Sequence, residues 1–127
     1  MSEKLVQLKK KGGGELKETV LWTNGSPTST QSSQTVNLSD SISNYEYIKI
    51  YWRHSTTDST VGSSQMPVSE FSTSKIRLAG AIGSSGNSIA RVVIYSTATS
   101  VSFGTAYVIG GSSSNSSVII TQVVGIS

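Results

Sequence analysis

The segment YEYIKIYWRH, residues 45–54, alternates with a period of two. Ile48, Ile50 and Trp52 fall on one side, and Tyr45, Tyr47, Lys49, Tyr51 and Arg53 on the other. A β-strand separates these sets, because its successive side chains point to opposite faces, whereas a helix would scatter both around its circumference. The same period recurs in short runs. A first strand lies around residues 19–23 in ETVLWTN, and a second in SQTVNL with Val36 and Leu38 two apart. SKIRLAGAIG sets Ile76 and Leu78 against Lys75 and Arg77. SIARVVIYS sets Ala90, Val92 and Ile94 against Arg91, Val93 and Tyr95, and SVSFG pairs Val101 with Phe103.

The stretches between these runs are turn-forming. NGSP follows the first strand, and Asn-Gly is a strong short-range turn signal. Residues 55–64 read as a polar loop, GSSGN as a hairpin loop and GGSSSNSS as a low-complexity loop. MPVSEF reads as an edge strand, since Pro67 has no N–H to give to a ladder. The closing SVIITQVVGIS is apolar on both faces, which suits a strand central in a sheet or covered by a neighbouring subunit. About seven or eight short strands, no helical period and no fixed repeat predict an all-β fold. The expected architecture is an antiparallel β-sandwich, jelly-roll-like, with an extended N-terminal arm and no helix longer than about two turns.

A length of 127 residues suits one domain with a real core. Ser and Thr make up 40 residues and charged groups only 13%, yet the aromatic and β-branched clusters argue for folding rather than disorder. The absence of cysteine excludes disulfides and thiolate chemistry. The net charge of +3 is concentrated early, with five lysines and three glutamates in residues 1–18. The remainder holds five basic and four acidic groups, too balanced for a phosphate-binding face, so no nucleic-acid partner is expected. No apolar run nears the roughly 18 residues that cross a bilayer, and residues 1–14 lack the apolar centre of a secretory signal. The expectation is a protein made in the cytoplasm, without membrane insertion.

MSEKLVQLKKKGGG divides from the rest: residues 1–14 form an arm ending in a triple-glycine hinge, and residues 15–127 the sandwich. Leu5, Val6 and Leu8 have strand character, and Lys9, Lys10 and Lys11 follow them. The arm is expected to dock by burying Leu5, Val6 and Leu8 against a partner with the lysines at the rim, or to add as a strand to a neighbour's sheet.

Catalytic chemistry finds little support. His54 is the only histidine, and no serine sits in a G-x-S-x-G elbow. One histidine and scattered carboxylates predict no metal site, and Asp40, Glu46, Asp58 and Glu70 do not suggest a facing acid pair. AIGSSGNS lacks the lysine of a phosphate loop and precedes a strand. No catalytic residue, metal or cofactor is expected. The suggestive surface is the strand at residues 45–53, where Tyr45, Tyr47, Tyr51 and Arg53 are candidates for contact with a ligand or another subunit. Tyrosine combines a flat apolar body with a polar tip, which suits sugars and interfaces alike. Trp52, with Ile48 and Ile50, is expected in the core.

Three segments also resemble a known family. The opening MSEKLVQLK, the stretch ETVLWTNGSPTSTQSSQTVNLSDSISNYEYIKIYW and the closing VIITQVVGIS are similar to small β-sandwich proteins of phages of Gram-positive bacteria, found as tail-fibre, baseplate-associated or head-fibre components. The chain departs from that pattern in carrying Lys9, Lys10 and Lys11 where an acidic residue is common, and in lacking an aromatic-proline pair. The resemblance implies a virion structural protein on the particle surface, often a homotrimer, whose partners are other tail, baseplate or capsid proteins. It implies either host attachment through a cell-surface saccharide or capsid decoration. A free carbohydrate-binding module is a further alternative.

Overall fold

The computed structural model describes residues 16–54, 61–82, 87–109 and 117–127. Among them, nine strands follow in order: β1 (Glu18–Thr23), β2 (Gln34–Asn37), β3 (Tyr47–Arg53), β4 (Val61–Pro67), β5 (Lys75–Ile82), β6 (Asn87–Thr97), β7 (Ser100–Phe103), β8 (Tyr107–Val108) and β9 (Ile119–Ile126). Among the described residues the helical pieces are a 3₁₀ turn at Ile42–Asn44 and a single α-helical turn, α1, at Val68–Phe71. The strands pair antiparallel into two sheets, β1-β9-β3-β4 and β2-β7-β6-β5, with β8 continuing along β6 beyond β7. The result is the all-β sandwich expected from the alternation. β1 and β9 lie side by side in one sheet and β2 and β7 in the other, while β3–β4 and β5–β6–β7 pair with their neighbours in sequence.

One core fills the space between the sheets. Leu21, Ile48, Ile50, Trp52, Ile120 and Val123 enter from one side, and Val36, Ile76, Leu78, Ile89, Val93, Val101 and Phe103 from the other. Each fully buried aliphatic or aromatic side chain contributes about 1.5–3 kcal/mol. A bulge in β1 between Val20 and Trp22 departs from simple alternation and lets Leu21 and Trp22 both pack on the core, Trp22 edge-on to Phe103 at 5.3 Å. Trp52 fits because Gly62 and Gly80 flank it, one from each sheet. A Cβ at Gly62 would stand 2.6 Å from the indole, and one at Gly80 2.9 Å.

Several local expectations are corrected. MPVSEF is divided: Met66 and Pro67 end β4, an edge strand, and Val68–Phe71 turns into α1. Pro67 cannot continue a ladder but suits a helix start, and the turn drives Phe71 into the core against Tyr95. Residues 61–64, read as loop, belong to β4, whose pairing with β3 overrides their polarity. β8 was not foreseen. Residues 55–60, and GSSG of the expected hairpin loop, lie outside the described residues, as do residues 1–15.

β6 carries the least obvious core residue. Arg91 shares the inward face with Ile89 and Val93 and is fully buried. Three residues, 104–106, stand opposite two on β6 between β7 and β8, and there the Gly104 carbonyl accepts from Arg91 Nε at 2.7 Å. Arg91 also donates to the Val118 carbonyl at 2.7 Å, to the Gln31 carbonyl at 2.7 Å and to Gln31 Oε1 at 3.1 Å. Burial lowers its pKa to about 10, which leaves it protonated at neutral pH. Gln31 in turn pairs with β9 as a strand residue would, accepting from Ile120 N–H and donating to Ile120 C=O, each at 2.9 Å.

Candidate functional site

The outer face of the four-stranded sheet is assembled by register. Glu18, Ile126, Tyr47 and Pro67 form one cross-strand row, and Val20, Val124, Lys49 and Gln65 the next. Beyond them come Gln122, Tyr51 and Ser63, then Ile119, Arg53 and Val61. The apolar closing segment is thus explained: β9 is central, with Val123 and Ile120 facing the core and Ile119, Val124 and Ile126 facing outward. Those outward residues are nonetheless buried.

Long side chains from both neighbouring strands supply cover. Tyr51 donates to the Glu18 carboxylate, with oxygens at 2.8 and 3.0 Å, and Lys49 Nζ lies 3.2 Å from Glu18 Oε2. Glu18 sits opposite Ile126 and Tyr51 opposite Gln122, so their bond crosses β9 above Val124. The Lys49 ammonium also lies 4.7 Å from the Tyr51 ring centroid. Contact with Tyr51, and then Glu18, raises the Lys49 pKa above the ordinary lysine value.

Beside this strap lies a depression of about 280 Å³, lined by Leu16, Glu18, Lys49, Gln65 and Ile126. Its floor is aliphatic, and its rim carries a carboxylate, an ammonium and an amide. Lys49 and Glu18 are 22% and 44% exposed, so both remain reachable from solvent.

The sequence-predicted contact residues do not form one cluster. Tyr47, Tyr51 and Arg53 share the outer face and are half-buried. Tyr45 precedes β3, so the alternation does not reach it. It caps the 3₁₀ turn, packs over Gly125, where a Cβ would stand 2.5 Å from its ring, and donates to Asp40 at 2.9 Å. Asp40 also accepts from the Ser41 N–H and from Asn44, and these bonds, Tyr45's first, hold its pKa below the usual carboxylate value. Leu5, Val6, Leu8, Lys9, Lys10 and Lys11 lie outside the described residues.

Sequence reasoning placed Lys49 on this face but did not name it as a site residue, and it missed Leu16, Glu18, Gln65 and Ile126. Val20 two positions on gave a weak sign of Glu18's face, but nothing local could set it beside β3. Among the described residues no three His, Cys, Asp or Glu side chains group as metal ligands, and no helix is long and apolar enough to cross a membrane. No family model matches the chain, and neither does any curated protein.

Proposed function

We propose that the chain is a non-enzymatic structural protein of a phage particle. It is anchored through residues 1–14 and displays the sandwich outward as a tail-fibre or baseplate component that adheres to a saccharide of the host surface. The observation that carries this reading is the solvent-facing surface of the four-stranded sheet. There Tyr47, Lys49, Tyr51 and Arg53 stand in a row beside an open depression with an aliphatic floor and a polar rim. Flat apolar bodies with polar tips suit a polyhydroxylated ligand, whose C–H faces need an apolar surface and whose hydroxyls need both donors and acceptors. The likeness of three segments to small phage sandwich proteins supports the setting.

Sedimentation of the whole protein with purified host cell walls tests adhesion. Binding reduced by the Tyr51→Ala exchange is the expected result, and no binding to any wall preparation would sink it. Electron microscopy of particles lacking the chain tests the setting. Loss of a tail or baseplate feature supports it, and loss of a shell feature instead would reassign the protein to capsid decoration.

A further inference from the structure

The depression beside the Glu18–Lys49 pair has its own selectivity, and the inference here rests on the adhesion reading above. We propose that it is a subsite for a single neutral pyranose ring, with Glu18, Lys49 and Gln65 binding hydroxyls and Leu16 and Ile126 underlying the ring's C–H face.

Size is the first argument. A volume of about 280 Å³ falls just below the roughly 300–1,000 Å³ of sites that enclose drug-sized molecules, so the depression suits one six-membered ring rather than an oligosaccharide. The remainder of a chain would run outward over the open face.

Charge is the second. Glu18 and Lys49 lie 3.2 Å apart and neutralise each other. A sugar carrying a carboxylate or phosphate would meet Lys49 but also Glu18, and an amino sugar would meet Glu18 but also Lys49. Either must disturb an existing ion pair, whereas a neutral hydroxyl adds to it.

Hydrogen-bonding capacity is the third. A carboxylate offers about four acceptor sites, and Tyr51 and Lys49 do not exhaust those of Glu18. Lys49, held by Glu18 and Tyr51, keeps a further N–H donor, and Gln65, exposed on the edge strand β4, supplies a donor and an acceptor. Adjacent hydroxyls of a pyranose would therefore find an acceptor and a donor side by side. The exposure of Glu18 and Lys49 means that no side chain need open for entry.

The experiment is a titration of the full chain, followed by NMR at the Ile126 methyl and Gln65 side-chain amide signals. The probes are methyl α-D-glucopyranoside, methyl α-D-galactopyranoside and N-acetylglucosamine, set against glucuronic acid, glucosamine and glucose 6-phosphate. At least one neutral sugar should shift both signals, and each charged sugar should bind at least about tenfold more weakly than that neutral one. Glu18→Gln and Gln65→Ala should each weaken binding about tenfold or more, as expected for losing a hydrogen bond at the rim. Because Glu18 also holds Tyr51, the Gln65→Ala variant, on an exposed edge, is the cleaner arm.

A preference for a charged sugar, an unchanged affinity in Gln65→Ala, or no shift with any neutral sugar overturns the proposal. If cell-wall binding survives while the subsite signals stay still, the subsite alone is lost and adhesion stands. If wall binding is absent as well, both readings fall.

Discussion

Arg91 is a cation buried among carbonyls and an amide, with no carboxylate among the partners described above. Each acceptor it satisfies would otherwise be a buried polar group without a partner, costing about 1–3 kcal/mol. The exchange Arg91→Met keeps much of the stem's packing but leaves the Gly104, Val118 and Gln31 carbonyls unpaired. A loss of about 3 kcal/mol is expected, read as a lower urea midpoint at unchanged slope. Gln31→Ala should cost a similar amount, and the double variant should lose less than the sum because the two side chains share one network. Glycine sets a second residue-scale test. The Gly62→Ala methyl would stand 2.6 Å from a rigid indole, so the exchange should destabilise by about 1–3 kcal/mol. Adding Trp52→Phe should recover part of that loss in thermal unfolding, because the smaller ring vacates the space. In the sequence Arg91 is simply one member of an alternating run, and its burial becomes visible only when Gln31 and the 104–106 bulge are brought to it.

At the scale of elements, β9 needs cover on its outer face, and the Tyr51–Glu18 strap provides part of it. Tyr51→Phe removes the hydrogen bond but keeps the ring above Val124, so a cost of under about 1 kcal/mol is expected at this exposed site. Tyr51→Ala uncovers Val124 and should cost about 2 kcal/mol; equal losses in chemical denaturation would refute this account of the strap. The turn between β2 and β3 has a pH signature. Asp40 has its pKa lowered on folding by Tyr45, Ser41 and Asn44. A carboxylate with a depressed folded pKa contributes stability above its unfolded value, here 3.8, and loses it as pH falls through the folded value. Unfolding midpoints measured from pH 5 down to pH 2 should therefore fall less steeply in Asp40→Asn than in the wild type. Sequence alternation identified most strands because a half-buried strand must alternate. It failed at residues 61–64 and at Val68–Phe71, where pairing with β3 and the fit of Phe71 decide the conformation. It also misplaced Tyr45, which lies two residues before the β3 ladder begins at Tyr47.

At the scale of the whole molecule, pairing β1 with β9 joins the two ends of the described chain, Glu18 opposite Ile126. Closing so long a loop costs entropy before any contact is gained, and folding dominated by such pairings takes about milliseconds to seconds. Stopped-flow refolding should fall in that range; completion in microseconds would contradict a β1–β9 closure at the rate-limiting step. The division of the chain by its local period and by turn residues was legible without tertiary structure, because backbone geometry and the apolar requirement of one face act residue by residue. So was the all-β class, along with the assignment of Ile48, Ile50 and Trp52 to the core. Which strands became neighbours was not legible, and with it the meeting of Glu18, Lys49, Tyr51 and Gln65 or the enclosure of Arg91. Those arrangements depend on pairing between segments far apart in the chain. Their energies come from contacts that exist only once the two sheets have closed on one core.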